Sequence, residues 1–162
     1  MDFAEIAIVD GWNDRTLAQF CRAHLISLNE QRQRWPKGVR SVAREFNDHA
    51  DRVMLEGMLR DPAASLSEVM LRRFEDNEGF KESVRRLAWS DLFHPIDTFS
   101  RTMVTARHMV RGPAATAPIG QAKIWWLALL YSICVLIWFA DRPPYSRLRR
   151  AIDAAARMCS YH

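Results

Sequence analysis

Seventeen consecutive residues, Ile124 to Ala140, carry no charge within the stretch KIWWLALLYSICVLIWFADRPP. A helix of that length rises about 25 Å at 1.5 Å per residue. A bilayer core of about 30 Å usually takes roughly 20 residues, so the run lies at the short edge of a membrane span. Lys123 before it, Asp141-Arg142 after it and tryptophans near both ends would suit such a span. The neighbouring sequence favours packing instead. Several flanking segments carry apolar stripes that need a partner, and a helix apolar all round supplies one. The run is therefore expected to form a central packed helix, with a single-span membrane protein as the alternative. Such a helix fills a core, walls a dry lipid cavity or forms a dimer contact.

The rest of the chain reads as helical. Asn13 or Asp14 caps a first helix with Leu17, Phe20, Cys21 and His24 on one face. Ser27 and Glu30 form a capping box ahead of NEQRQRW, and Pro36 and Gly38 interrupt the chain. From Val39 the stripe Val42, Ala43, Phe46, Ala50, Val53, Met54 and Met58 has a helical period, with Arg44, Asp48, Asp51 and Arg52 expected to face away. Asp61-Pro62 is a break. Ser65 and Glu68 repeat the capping box before Leu66, Val69, Met70 and Phe74. DNEG is a turn, after which Phe80, Val84, Leu87, Ala88 and Leu92 share a helix. Pro95 suits a first helical turn, leading Ile96, Phe99, Met103, Ala106 and Val110. Arg111 to Gly120 reads as a loop, and Leu148, Ile152, Ala155, Ala156 and Cys159 mark a last helix. The expectation is an all-α fold of about eight helices.

A chain of 162 residues is long enough to bury its own core. The net charge of +4 favours anionic partners without choosing among them. Cys21, Cys134 and Cys159 are isolated, which argues against a disulfide scaffold or a zinc site and for buried thiols. The opening MDFAEIAIVDGW has neither a signal-peptide nor a transit pattern, so a cytoplasmic protein is expected. The five histidines are scattered, and no nucleophile, phosphate loop or metal-ligand spacing stands out. No catalytic residue, metal ligand or cofactor is assigned.

Two short helices joined through HLIS are compatible with a helix-turn-helix. Asn29, Gln31, Arg32, Gln33 and Arg34 then offer donors suited to a major groove. Arg32, Arg34, Lys37, Arg40 and Arg44 give five basic residues between positions 32 and 44 with no acid among them, a pattern that suits phosphates. A solvated helical corner is the plainer reading of the same residues.

The chain also resembles the lipid-binding accessory proteins of ubiquinone (coenzyme Q) biosynthesis, whose fold is like that of tetracycline-repressor (TetR) regulators. DGWNDRTL resembles that family's Gly-Trp helix start. RWPKGVRSVAREFNDHADRVMLEGM resembles its Phe-Pro-x-Gly turn and following helix. FKESVRRLAWSDLFHP and LLYSICVLIWFADRPPYSRLRRAID resemble its later helices. The resemblance covers about positions 10 to 155, spread over several pieces. It implies a TetR-like helical bundle with a degenerate N-terminal helix-turn-helix over 10–38 and a helical lipid-binding and dimerisation part over 39–159, together one compact unit. It implies a homodimer, no enzymatic activity, and a bound phospholipid or polyprenylated quinone precursor near Phe99, Met103, Ala106, Trp125, Leu129, Tyr131 and Val135. It also implies a place in the cytoplasm, peripheral at the inner membrane, and a quinone-biosynthesis hydroxylase as partner. The family's Asp-x-Asn-Trp-Tyr-Thr-Lys-Arg segment reads AP-IGQAKI here, so the Trp-Tyr pair that meets the hydroxylase is missing. The alternative on the same fold is a DNA-binding regulator acting through Asn29, Arg32, Gln33, Arg34, Lys37 and Arg40.

Overall fold

The computed structural model describes residues 3–91, 95–111 and 120–160. These form nine α-helices and one short 3-10 turn, with no strand among the described residues. The helices are α1 (Phe3–Asp10), α2 (Asp14–Ala23), α3 (Leu28–Arg34), α4 (Val39–Arg60), α5 (Leu66–Asp76), α6 (Lys81–Asp91), α7 (Pro95–Arg111), α8 (Gln121–Ala140) and α9 (Ser146–Ser160). The chain is thus all-α, as its periodicity predicts. Leu92 and His94, Ile119 and the rest of the 112–119 stretch lie outside the described residues.

Contacts divide the chain into two units: Met1–His49 with Gly79–Pro95, and Ala50–Glu78 with Ile96–His162. The first unit therefore includes α6 as well as the segment 10–38, and α4 supplies residues to both. In the first unit α1 packs on α2 and α6. Its core holds Phe3, Ala7, Trp12, Leu17, Cys21, Trp35 and Val42. Rings meet edge to face, Phe3 on Trp12 at 5.2 Å and Trp12 on Phe46 at 5.8 Å between centroids. The buried Trp12 indole donates to the Ser83 carbonyl at 2.9 Å, so its polar edge is satisfied. Helix α1 leaves no signal in the sequence, because FAEIAIVD has no capping signature and does not confine its apolar residues to one side.

The predicted caps form. Asn13 Oδ1 accepts from the Thr16 N–H at 3.0 Å. Ser27 with Glu30, and Ser65 with Glu68, close reciprocal capping boxes at the starts of α3 and α5. Asp141 Oδ2 accepts from the N–H groups of Arg147 and Leu148 at 3.0 and 2.9 Å, which caps α9. Hydrogen bonds lower the carboxyl pKa of all three acids: from the Ser27 side chain for Glu30, the Ser65 backbone for Glu68 and the Leu148 backbone for Asp141. Because the folded values lie below the ordinary 4.5 and 3.8, these carboxylates stabilise the fold above those values. That contribution is lost as pH falls through the depressed folded values. Thermal melts followed downward from neutral pH should hold nearly level until about pH 5 and then fall, less steeply in Glu68→Gln.

Gly38, at φ +59, links α3 to α4, and a Cβ there would strike the Asp14 carboxylate. Asp14 Oδ1 meanwhile accepts from the Val39 N–H at 2.9 Å. Gly38→Ala should therefore lower stability by about 1–2 kcal/mol, from left-handed strain and the displaced cap, as read by urea denaturation.

In the second unit α8 and α5 each pack on α9. Ile124, Leu127, Ala128, Cys134 and Trp138 of α8 are buried, with Leu148, Ile152 and Ala155 of α9. Burial pushes the Cys134 thiol up to about 11, so it is protonated and unreactive at neutral pH. Cys21 is buried too, while the side chain of Cys159 is not among those described.

Candidate functional site: an exposed apolar face and a buried ion pair

Helix α8 is apolar on all sides but is not central. Only 28% of an 18-residue stretch of it is buried. This corrects the expectation of an enclosed core helix. Counted at 100° per residue, Ile124, Leu127, Ala128, Cys134 and Trp138 lie on one side. Trp125, Trp126, Leu129, Ile133, Leu136 and Ala140 lie on the other, and that side faces solvent. Leu136 is 65% exposed and Trp125 52%. From Trp125 to Ala140 the stripe rises about 22 Å without a charge. Scattered exposed leucines are ordinary, whereas a continuous apolar face marks a surface that is covered in use.

The stripe continues onto α7, where the Phe99 ring packs against Trp125 at 4.9 Å between centroids. Ile96, expected on the packed face, is 84% exposed near the same end. Phe99, Trp125 and Leu129 are thus drawn together at the surface. Met103 lies one turn after Phe99 and is half-buried, while Ala106 is fully buried. Val135 and Tyr131 sit on the packed side of α8. Tyr131 stacks on Phe74 at 5.4 Å and its hydroxyl accepts from Arg73 Nε at 2.9 Å. The residues that the resemblance groups as one lipid neighbourhood therefore divide between a solvent-facing shelf and the interior.

The interior side holds a charged cluster that sequence reading missed. Asp51, expected to face solvent, is 1% exposed and Arg73 is 4% exposed. Arg73 Nη1 lies 2.7 Å from Asp51 Oδ1, and the Thr105 hydroxyl donates to the same carboxylate at 3.0 Å. His108 Nδ1 stands 3.4 Å from Asp51 Oδ2, a charge contact when the ring is protonated. Burial is the largest influence on the Arg73 guanidinium and works against its charge. The Tyr131 oxygen and the Asp51 carboxylate more than offset it, so the pKa is raised overall. A signal existed: Arg73 falls inside the stripe Val69, Met70 and Phe74, where only a paired charge belongs. The α4 stripe also drifts around the helix, because 3.6 does not divide 7, and that drift turns Asp51 inward.

A cleft between α4 and α5, lined by Val53, Met54, Met58, Val69, Arg72 and Asp76, has a volume of about 30 Å³. That is room for one or two waters and not for an acyl or prenyl tail.

At the other end of the chain, α2 and α3 form the expected pair of helices. Asn29, Arg32, Gln33, Lys37 and Arg40 are exposed. Arg34 is engaged: its guanidinium meets Glu45 at 2.7 Å and lies over the Trp35 ring at 4.7 Å. Compared with known protein families, curated proteins and solved structures, the chain matches none.

Proposed function

We propose that this chain is a non-enzymatic lipid- or isoprenoid-binding accessory protein with a TetR-like fold, acting in support of ubiquinone synthesis. The observation that carries the reading is the uncharged, solvent-facing stripe of α8, joined to Phe99 by the Phe99–Trp125 contact. A phospholipid or polyprenylated quinone precursor lays its tail along this stripe, and a second copy of the chain closes over it. Burial of each tail methylene contributes about 0.8 kcal/mol before the cost of ordering. The head group stays at the end of the stripe, where an acceptor protein reaches it. A hydroxylase meeting this chain does so without the Trp-Tyr pair of the resembling family. The packing of the opposite side of α8, with Trp138 Nε1 donating to Glu78 at 3.0 Å, supports a surface helix over a membrane span.

A TetR-like DNA-binding regulator is the second reading, and the exposure of Asn29, Arg32 and Gln33 along α3 favours it. Against it, Arg34 is held by Glu45, and Glu30 places a carboxylate at the start of the helix that would enter the groove. Purification without delipidation followed by mass analysis separates the two. The lipid reading predicts bound lipid; lipid-free protein that shifts duplex DNA at low salt favours the regulator.

A further inference from the structure

The turn between α2 and α3 carries a feature that neither reading uses. Helix α2 ends in a Schellman arrangement: Ile26 N–H donates to the Cys21 carbonyl at 2.8 Å and Leu25 N–H to the Arg22 carbonyl at 3.3 Å. Leu25 occupies the left-handed position of that motif, at φ +55. Glycine is the residue that takes this conformation without strain. Here the position instead bears a leucine that is 93% exposed, followed by Leu28 at 61%. Ile26, between them, turns inward against the core. Two apolar side chains thus project at one corner, and nothing in the packing of the unit accounts for them.

Their surroundings are basic. From Arg22 to Arg44 there are six basic residues and one acid, Glu30. Glu30 is folded back onto the Ser27 N–H at 2.8 Å, so its charge is drawn toward the helix start. Arg22 closes the last turn of α2 just before Leu25, and Arg32 follows Leu28 by one turn of α3; both are exposed. Projecting apolar side chains set among cations match the interface of an anionic bilayer, where apolar groups enter the acyl boundary and Lys and Arg stay with the phosphates. DNA would engage the cations equally but gives the leucines little to enter.

We propose that the α2–α3 corner is a membrane-docking surface, in which Leu25 and Leu28 insert into an anionic phospholipid leaflet and Arg22 and Arg32 engage its phosphates. The proposal concerns the bilayer surface and does not depend on tail capture by α8.

Flotation of the whole chain with vesicles tests it. Binding is expected to vesicles of phosphatidylcholine mixed with phosphatidylglycerol, to weaken with salt, and to be far lower on phosphatidylcholine alone. Leu25→Gly combined with Leu28→Ala should reduce that binding at least about tenfold. The pair suits the test because glycine relieves the left-handed strain and alanine is a good helix former, so the melting temperature should not drop. Leu59→Glu, at an exposed leucine of α4 outside both surfaces, should leave flotation unchanged. No flotation with anionic vesicles would overturn the proposal, as would undiminished flotation of the double variant. So would an equal loss of flotation in Leu59→Glu, which would mean that any exposed leucine serves. Tight duplex-DNA binding that falls with Arg32→Ala and is untouched by the leucine changes, with no vesicle binding, would assign the corner to DNA.

Discussion

Asp51→Ala is expected to lower the stability of the chain by about 3–5 kcal/mol, since it strands a buried charge. The guanidinium of Arg73 would keep the Tyr131 hydroxyl at 2.9 Å but lose its counter-ion. The Thr105 hydroxyl would lose its acceptor as well. For a chain of 162 residues the change corresponds to a fall in melting temperature of roughly 10 °C. The double change Asp51→Leu with Arg73→Met should recover much of that loss, because an apolar pair of similar volume needs no desolvation of charge. Urea denaturation of the two single variants and the double one checks the cycle. A single-variant loss below about 1 kcal/mol would mean that the pair behaves as an exposed one.

Leu129→Glu and Leu136→Glu are expected to do the opposite: leave the fold nearly unchanged and remove its use. Both side chains are about half exposed or more in the isolated chain, so a carboxylate there meets water and not core. Covered by a tail or a second copy, the same carboxylate would be desolvated without a partner. At 1.4 kcal/mol per tenfold, a cost of about 2–3 kcal/mol lowers lipid retention and self-association by roughly 30- to 140-fold. Thermal melts together with sedimentation at matched concentration distinguish this from unfolding. Variants that melt normally and still dimerise with lipid bound would remove the α8 stripe from the account.

The exposure of α8 and the burial of Asp51 escape the sequence for opposite reasons. The apolar run at Ile124 to Ala140 was legible as a helix and so was its end at Asp141, while its start lies at Gln121, ahead of Lys123. Its exposure was not, because a helix apolar on every side gives no periodic signal for which side is covered. Asp51 failed for the converse reason. Its type argued for solvent, and only its distant partners, Arg73, Thr105 and His108, make its burial tolerable. Capping signals at Asn13, Ser27 and Ser65 act over three residues and were read directly. The left-handed Leu25 was beyond reach, since a turn that usually selects glycine gave no glycine to find.

Native mass spectrometry on protein purified without delipidation, for the unmodified chain and for Leu129→Glu, reads lipid and dimer together. A dimer carrying a phospholipid or polyprenylated quinone precursor is expected, with both the added mass and the dimer lost in Leu129→Glu. A lipid-free chain that takes up neither phospholipid nor prenylated quinone precursor when these are added would contradict it.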